Sequence, residues 1–279
     1  MLAGALTPQA HELSVCVPYF VFAMLWLAFL DAPLHRKMVT RLHLILIFAL
    51  VGFAMLAYGV VFPLDRRFAT VAFMIAITPT ATAAPSVIDL LGGNPAFVAI
   101  SVLLTHLVVS LLFPFFLPYL VDGKTNVSAL ALVLPSLKVT LLPMLASLPC
   151  RLLPSGVYQK LIFLKKTTLL LWITVLFIVT SKASWFVQTS GSASNHDLLI
   201  IAGIAVTICT ISFSFGRLLG GSTHPKEASQ CLGQKNTLLT IWISLHFLNP
   251  FIALGPTIYI VCHNLFNSWQ ILASRRGKG

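Results

Sequence analysis

Acidic side chains are what this chain is short of: seven Asp and Glu against 18 Lys and Arg in 279 residues, with charged residues only 9% of the total. General acid–base chemistry by paired carboxylates therefore has almost nothing to work with. Cysteine is scarce as well. Cys16, Cys150, Cys209, Cys231 and Cys262 are odd in number, scattered and mostly inside apolar runs, which excludes a disulfide framework and metal-ligand spacing. The sequence has no nucleophile elbow, no His-Glu-x-x-His and no glycine-rich phosphate loop. It reads as a non-enzyme without cofactor or metal site, and no connection between apolar runs is long enough for a soluble domain.

What it has in excess is apolar surface. Hydrophobic residues make up 58% of the chain and the mean hydropathy is +0.94, values that place it among all-α, polytopic membrane proteins. Unbroken runs of about twenty residues argue against a β-barrel, whose strands alternate over shorter segments. The formal charge of +11 does not point to nucleic acid, because the basic residues sit in short connections rather than on one soluble face. The partners implied are the lipid bilayer and whatever crosses it.

Nine spans are predicted, at 13–31, 41–61, 68–91, 95–120, 127–148, 164–184, 197–218, 223–247 and 250–271. The first follows a stretch, Met1 to Glu12, without Lys or Arg, and is read as a helix rather than a cleaved signal. The connection at 149–163, with Pro149, Pro154 and Gly156, reads as a turn between halves. With the N-terminus outside, twelve Lys and Arg fall on the inner side and four on the outer. Cytoplasmic enrichment of basic residues thus predicts a multi-pass cell-membrane protein, N-terminus out and C-terminus in. The third and eighth spans then run in opposite directions, as in an inverted repeat: residues 1–122 with four spans, residues 123–279 with five.

Those two spans carry interruptions. The first, Pro79-Thr-Ala-Thr-Ala-Ala-Pro85, loses two backbone donors and gains hydroxyls from Thr80 and Thr82, beside that of Thr78. Thr82 is placed as N-cap of the following half-helix, whose positive end would favour an anion. A plain proline kink with back-bonded threonines explains the same residues equally well. The second, Cys231-Leu-Gly-Gln-Lys-Asn-Thr237, offers amides from Gln234 and Asn236, and either Asn236 or Thr237 can cap the outgoing half-helix. Between the amides stands Lys235. A cation at mid-span costs at least ~2.5–3.5 kcal/mol, so it is a functional candidate by default. The carbonyl end of the incoming half-helix would stabilise the ammonium; a lysine that merely holds the crossing together is the alternative.

Thr80, Thr82, Gln234, Lys235 and Asn236 are accordingly the candidate substrate-binding residues, and Lys235 with His106 the candidates for carrying a coupling charge. His246 and His263 also lie in apolar runs at positions that could face the bundle interior, where a lone histidine is more often a packing residue than a proton relay. Lys138, between Pro135 and Pro143, is a second buried-cation candidate in an irregular helix. Asp89, near the inner end of the third span just before Gly92-Gly93, is the one carboxylate deep in a segment; it could pair with a cation, but an interfacial aspartate bonded to loop amides is the expectation.

Taken in order, Thr78-Pro-Thr-Ala-Thr-Ala-Ala-Pro85, then Ser-Val-Ile-Asp-Leu-Leu-Gly-Gly-Asn94, the span ending Phe113-Pro-Phe-Phe-Leu-Pro118, Leu-Gly-Gln-Lys-Asn-Thr237 and the tail His263-Asn-Leu-Phe-Asn-Ser-Trp269 resemble the bile acid:sodium symporter superfamily. The resemblance implies a core domain containing two crossing helices, beside a smaller panel domain, and secondary transport of a small organic anion. It also implies a sodium site near the crossing, but the residues aligned with its ligands are Ala84, Pro85, Cys231 and Lys235. Sodium coupling at the usual positions is therefore not expected. A related oxyanion exporter with Cys231 as a soft contact, or a non-transporting scaffold on the same fold, are the alternatives.

Overall fold

A computed structural model describes residues 2–30, 39–120, 129–190 and 194–276. Among these residues there are helices and connections but no strand, only one isolated β-bridge. The helices are α1 (Leu2–Leu6), α2 (Val17–Phe29), α3 (Arg41–Val61), α4 (Arg66–Ile77), α5 (Ala84–Leu90), α6 (Pro95–Leu120), α7 (Ala129–Cys150), α8 (Ser155–Phe163), α9 (Thr168–Ser190), α10 (Asn195–Gly220), α11 (Pro225–Gly233), α12 (Thr237–Phe247) and α13 (Pro250–Arg276). Short 3-10 segments at Pro8–Cys16 and Leu164–Thr167 lead into α2 and α9. Five helical stretches among the described residues, Pro8–Phe29, Arg41–Val61, Pro95–Phe113, Ser155–Lys182 and Asn195–Gly220, are long and apolar enough to cross a membrane.

The connection expected at 149–163 as a simple turn contains α8 instead. Pro154 precedes the first turn and the amides of Val157 and Tyr158 both bond its carbonyl, so the proline starts a helix rather than a loop. The irregularity expected around Lys138 is absent: α7 runs unbroken from Ala129 to Cys150. Residues 127 and 128 of the fifth span, and the basic residues Arg36, Lys37 and Lys124, lie outside the described residues.

The chain divides into two compact units, each drawn from three separate segments of the sequence. One comprises Met1–Ala32, His106–Ser194 and Ile241–Ala253. Within it α2 packs on α7 and α9, and α1 with its 3-10 continuation lies along α9. Ser181 and Ser184 donate to the carbonyls of Thr7 and Ala5 at 2.6 and 2.7 Å, and the His11 ring stacks on Trp185.

The other unit comprises Pro33–Thr105, Asn195–Thr240 and Leu254–Gly279. Here α3 packs on α4, and α10 on α4 and α11. The α10–α11 contact is close because Gly216 faces the backbone of Ala228, and Gly220 faces Pro225; a Cβ at either position would collide with its neighbour. Small residues one turn apart let two helix backbones approach where apolar burial cannot drive association. Helix ends are set locally. Asp65 caps α4 by accepting from the Arg67 amide at 2.6 Å, and Pro79 forces Thr78 into an extended conformation, ψ 127°. Gly92 at φ +70° and Gly221 at φ +56° turn the chain after α5 and α10, a left-handed backbone that glycine adopts freely.

Candidate functional site

Both interrupted segments are broken. The first break spans Thr78 to Ala83, and Pro85 falls in the opening turn of α5, where its missing amide is harmless. Thr82 is not the cap of that helix: Ala83 holds the N-cap position and no side chain caps it, correcting the expectation. The second break is shorter than expected. α11 persists through Gly233, leaving Gln234 to Asn236 unwound, with Asn236 directly before α12 and its carbonyl accepting from Leu239.

The two breaks meet each other. Thr80 and Lys235 form an antiparallel β-bridge. The Ala81 amide donates to the Gln234 carbonyl and the Asn236 amide to the Pro79 carbonyl, both at 2.8 Å. Each unwound segment thereby satisfies the peptide groups that the other has freed, which backbone buried in protein requires. Threonine hydroxyls fill the remaining positions. Thr105 Oγ1 accepts from the Thr80 amide at 3.1 Å, Thr80 Oγ1 donates to the Cys231 carbonyl at 2.7 Å, and Thr78 Oγ1 bridges to Thr240 at 3.0 Å.

Lys235 is 2% exposed. Its Nζ donates to the carbonyls of Ala76 at 2.8 Å and Thr78 at 3.2 Å, where α4 terminates. The ammonium thus rests on the negative end of a helix, as reasoned from sequence, but the helix belongs to the other break and not to its own. Gln234 is also buried, and its Oε1 has no hydrogen-bond partner. Thr82 and Asn236 are half-buried. The five candidate binding residues are therefore gathered at one crossing within one compact unit.

No protein-family model matches the chain, and no curated protein matches it. The crossing has to be read from its own chemistry.

His106 belongs to the first unit, is 1% exposed, and meets Phe29 edge-on at 5.8 Å. His246, expected to face an interior, is exposed and stacked on Trp242 at 5.3 Å. Lys138, expected to be buried, is exposed on α7. Asp89 is exposed too, and among the described residues the buried carboxylate is Glu227, which sequence reasoning missed. Glu227 Oε1 accepts from the Asn94 amide at 2.8 Å, the loop contact expected of Asp89. Its neighbour Lys226 donates to the Leu91 carbonyl at 2.9 Å, so the first turn of α11 grips the loop that follows α5. Pro225 followed by Glu227, with an acid in an opening turn, was the available signal.

Beside this grip His224 stacks on Phe97 at 4.6 Å, and His43 lies 4.0 Å from the same Phe97 ring. His43 Nδ1 accepts from the Thr40 amide, which leaves Nε2–H to donate to the Phe97 carbonyl at 3.0 Å. Among the described residues no group of three His, Cys, Asp or Glu side chains is arranged to hold a metal.

Proposed function

We propose that this protein is a secondary transporter of a small organic anion, acting by alternating access in the cell membrane without sodium at the positions where the resembled superfamily binds it. The observation that carries this reading is the antiparallel pairing of two broken helices through Thr80 and Lys235. Discontinuous helices that pair at a crossing concentrate half-helix ends, unwound backbone and hydroxyls in one place, the construction secondary transporters use to hold a guest.

The nine-span layout with N-terminus out and C-terminus in, and an inverted repeat of residues 1–122 and 123–279, belong to this proposal. So does a division into a core domain that contains the crossing and a smaller panel domain. Lys235 supplies the electrostatics. Carbonyl oxygens of the kind that coordinate alkali ions are occupied by its ammonium, so positive charge is built in covalently. The carboxylate or sulfonate of a guest would be drawn to Lys235 and to the amide end of α12, with Thr82 and Asn236 the most accessible groups to orient it.

A scaffold on the same fold is the second reading, favoured by the burial of Thr80 and Lys235 among protein partners. Thermal unfolding of the purified full-length chain with a panel of small carboxylates and sulfonates, in sodium chloride and in choline chloride, separates the two. A midpoint raised equally in both salts supports transport of an anion independent of sodium. A rise only in sodium contradicts the coupling claim, and a flat response across the panel favours the scaffold.

A further inference from the structure

The segment between α7 and α9 belongs to the compact unit that lacks the crossing, and nothing in the crossing uses it. None of the residues of α8 is buried. Tyr158, Leu161 and Ile162 are half-buried and share one face by their i, i+3, i+4 spacing. That face is anchored to the end of α2: Tyr158 Oη donates to the Leu30 carbonyl at 3.1 Å, and Arg151, shortly before α8, donates to the Phe29 carbonyl at 2.8 Å. The outward side mixes apolar and basic groups. Leu152 is 88% exposed, and Val157, Phe163 and Leu164 are exposed beside Lys160 and Lys166. Lys166 Nζ lies 4.3 Å from the centre of the Phe163 ring, so ring and cation are held together.

The level of this surface in a bilayer follows from α9. The stretch Ser155–Lys182 is long and apolar enough to cross a membrane, and from Thr167 to Ser181 it carries no charge. Lysines flank that run at 166 and 182; with their ammonium groups reaching toward the headgroups, it is close to the minimum of ~17 residues for a spanning helix. Hydrocarbon then ends near Lys166, where the 3-10 turn Leu164–Thr167 interrupts the α-helix. α8 is left in the headgroup layer. Apolar side chains set among lysines suit that layer, since water disfavours the first and hydrocarbon the second.

Charge decides which lipid. No Asp or Glu occurs between Asp122 and Asp197, so Arg151, Lys160, Lys165 and Lys166 present one sign within their own stretch of chain. A second copy docking by the same face would set like charges together, and a nucleic acid would leave Leu152, Phe163 and Leu164 without a partner. An anionic phospholipid satisfies both kinds of group, its phosphate meeting the cations and its acyl chains the apolar residues.

We propose that α8 and the turns on either side of it, from Arg151 to Lys166, are a docking site for the headgroups of anionic phospholipids. Lys160 and Lys166 supply the charge, Phe163 and Leu164 reach the upper acyl region, and Tyr158 and Arg151 hold the helix to α2. The proposal rests on the chain's residence in a membrane and is independent of what the crossing carries. Anchorage of this kind ties one compact unit to the bilayer surface.

The test titrates the purified full-length chain, in a neutral detergent, with dioctanoyl phosphatidylglycerol and with dioctanoyl phosphatidylcholine, reading bound lipid by native mass spectrometry. Phosphatidylglycerol is expected to bind about 25-fold more tightly, about fivefold for each of Lys160 and Lys166. Lys160→Gln combined with Lys166→Gln should erase that preference and leave phosphatidylcholine binding unchanged; the single variants decide the matter should the double not fold. Phe163→Ser should weaken both lipids, as loss of an apolar contact does. Arg217→Gln, which removes an exposed cation of the other unit, should alter neither. Glycerol 3-phosphate, the headgroup without acyl chains, should bind far more weakly than the lipid. Equal affinity for the two lipids, an equal loss in Arg217→Gln, or glycerol 3-phosphate binding as tightly as the lipid overturns the proposal.

Discussion

Lys235 Nζ lies 2.8 Å from the carbonyl oxygen of Ala76, although 159 residues separate the two in sequence. That bond joins the tip of one broken helix to the hinge of the other. It converts carbonyls at the end of α4, left without helical amides because the chain unwinds from Thr78, into the seat of a buried cation.

The Thr80 hydroxyl should be structural as well as local to the site. Thr80→Val keeps the shape and removes the bond to the Cys231 carbonyl. The loss should be about 1–2 kcal/mol, seen as a lower unfolding midpoint in detergent, with Thr82→Val nearly silent. Equal effects of the two substitutions would contradict the assignment.

Glycine at 216 is demanded by the backbone of Ala228. Gly216→Leu should force α10 and α11 apart at a cost of at least about 1–3 kcal/mol, whereas Gly203→Ala, which meets open space, should not destabilise by that route. Unfolding midpoints of the two variants measure the difference.

Glu227 should act as a clasp. Glu227→Ala removes the acceptor for the Asn94 amide and should cost about 1–3 kcal/mol. It should also quicken hydrogen exchange of the amides from Leu91 to Asn94. Glu227→Gln, which retains an acceptor oxygen, should restore most of the protection.

Much of this was legible beforehand, and the exceptions share a cause. Runs 41–61 and 95–120 coincide with α3 and α6, because an apolar run of that length is a sufficient instruction for a helix. Pro79 announced its break. The acceptor of Lys235 was not legible, because the register between two antiparallel breaks is written in neither of them. Glu227 escaped notice because its burial depends on Asn94 and Gly93, in a loop far away in sequence. Lys138 and His246 were placed on the wrong side for a different reason: in helices apolar on nearly every face, periodicity does not mark the inside.

Acid should loosen the cap of α4. The Arg67 side chain holds the Asp65 carboxyl below the ordinary aspartate range, with help from the amide bond to Arg67. A carboxyl depressed in the folded state adds stability above its unfolded value, near pH 4, and that stability fades as pH falls through the folded value. The pair is partly exposed, so the effect is small. Wild type should lose its stability advantage over Asp65→Ala below about pH 4; an advantage that grows with acid would contradict the sign.

The most direct measurement is uptake of small carboxylates and sulfonates into proteoliposomes, comparing wild type with folded Lys235→Met, with and without an inward sodium gradient. The expected result is uptake by wild type that is indifferent to sodium and lost in Lys235→Met. Uptake that climbs steeply with the sodium gradient, or that survives intact without the ammonium at position 235, would contradict the account.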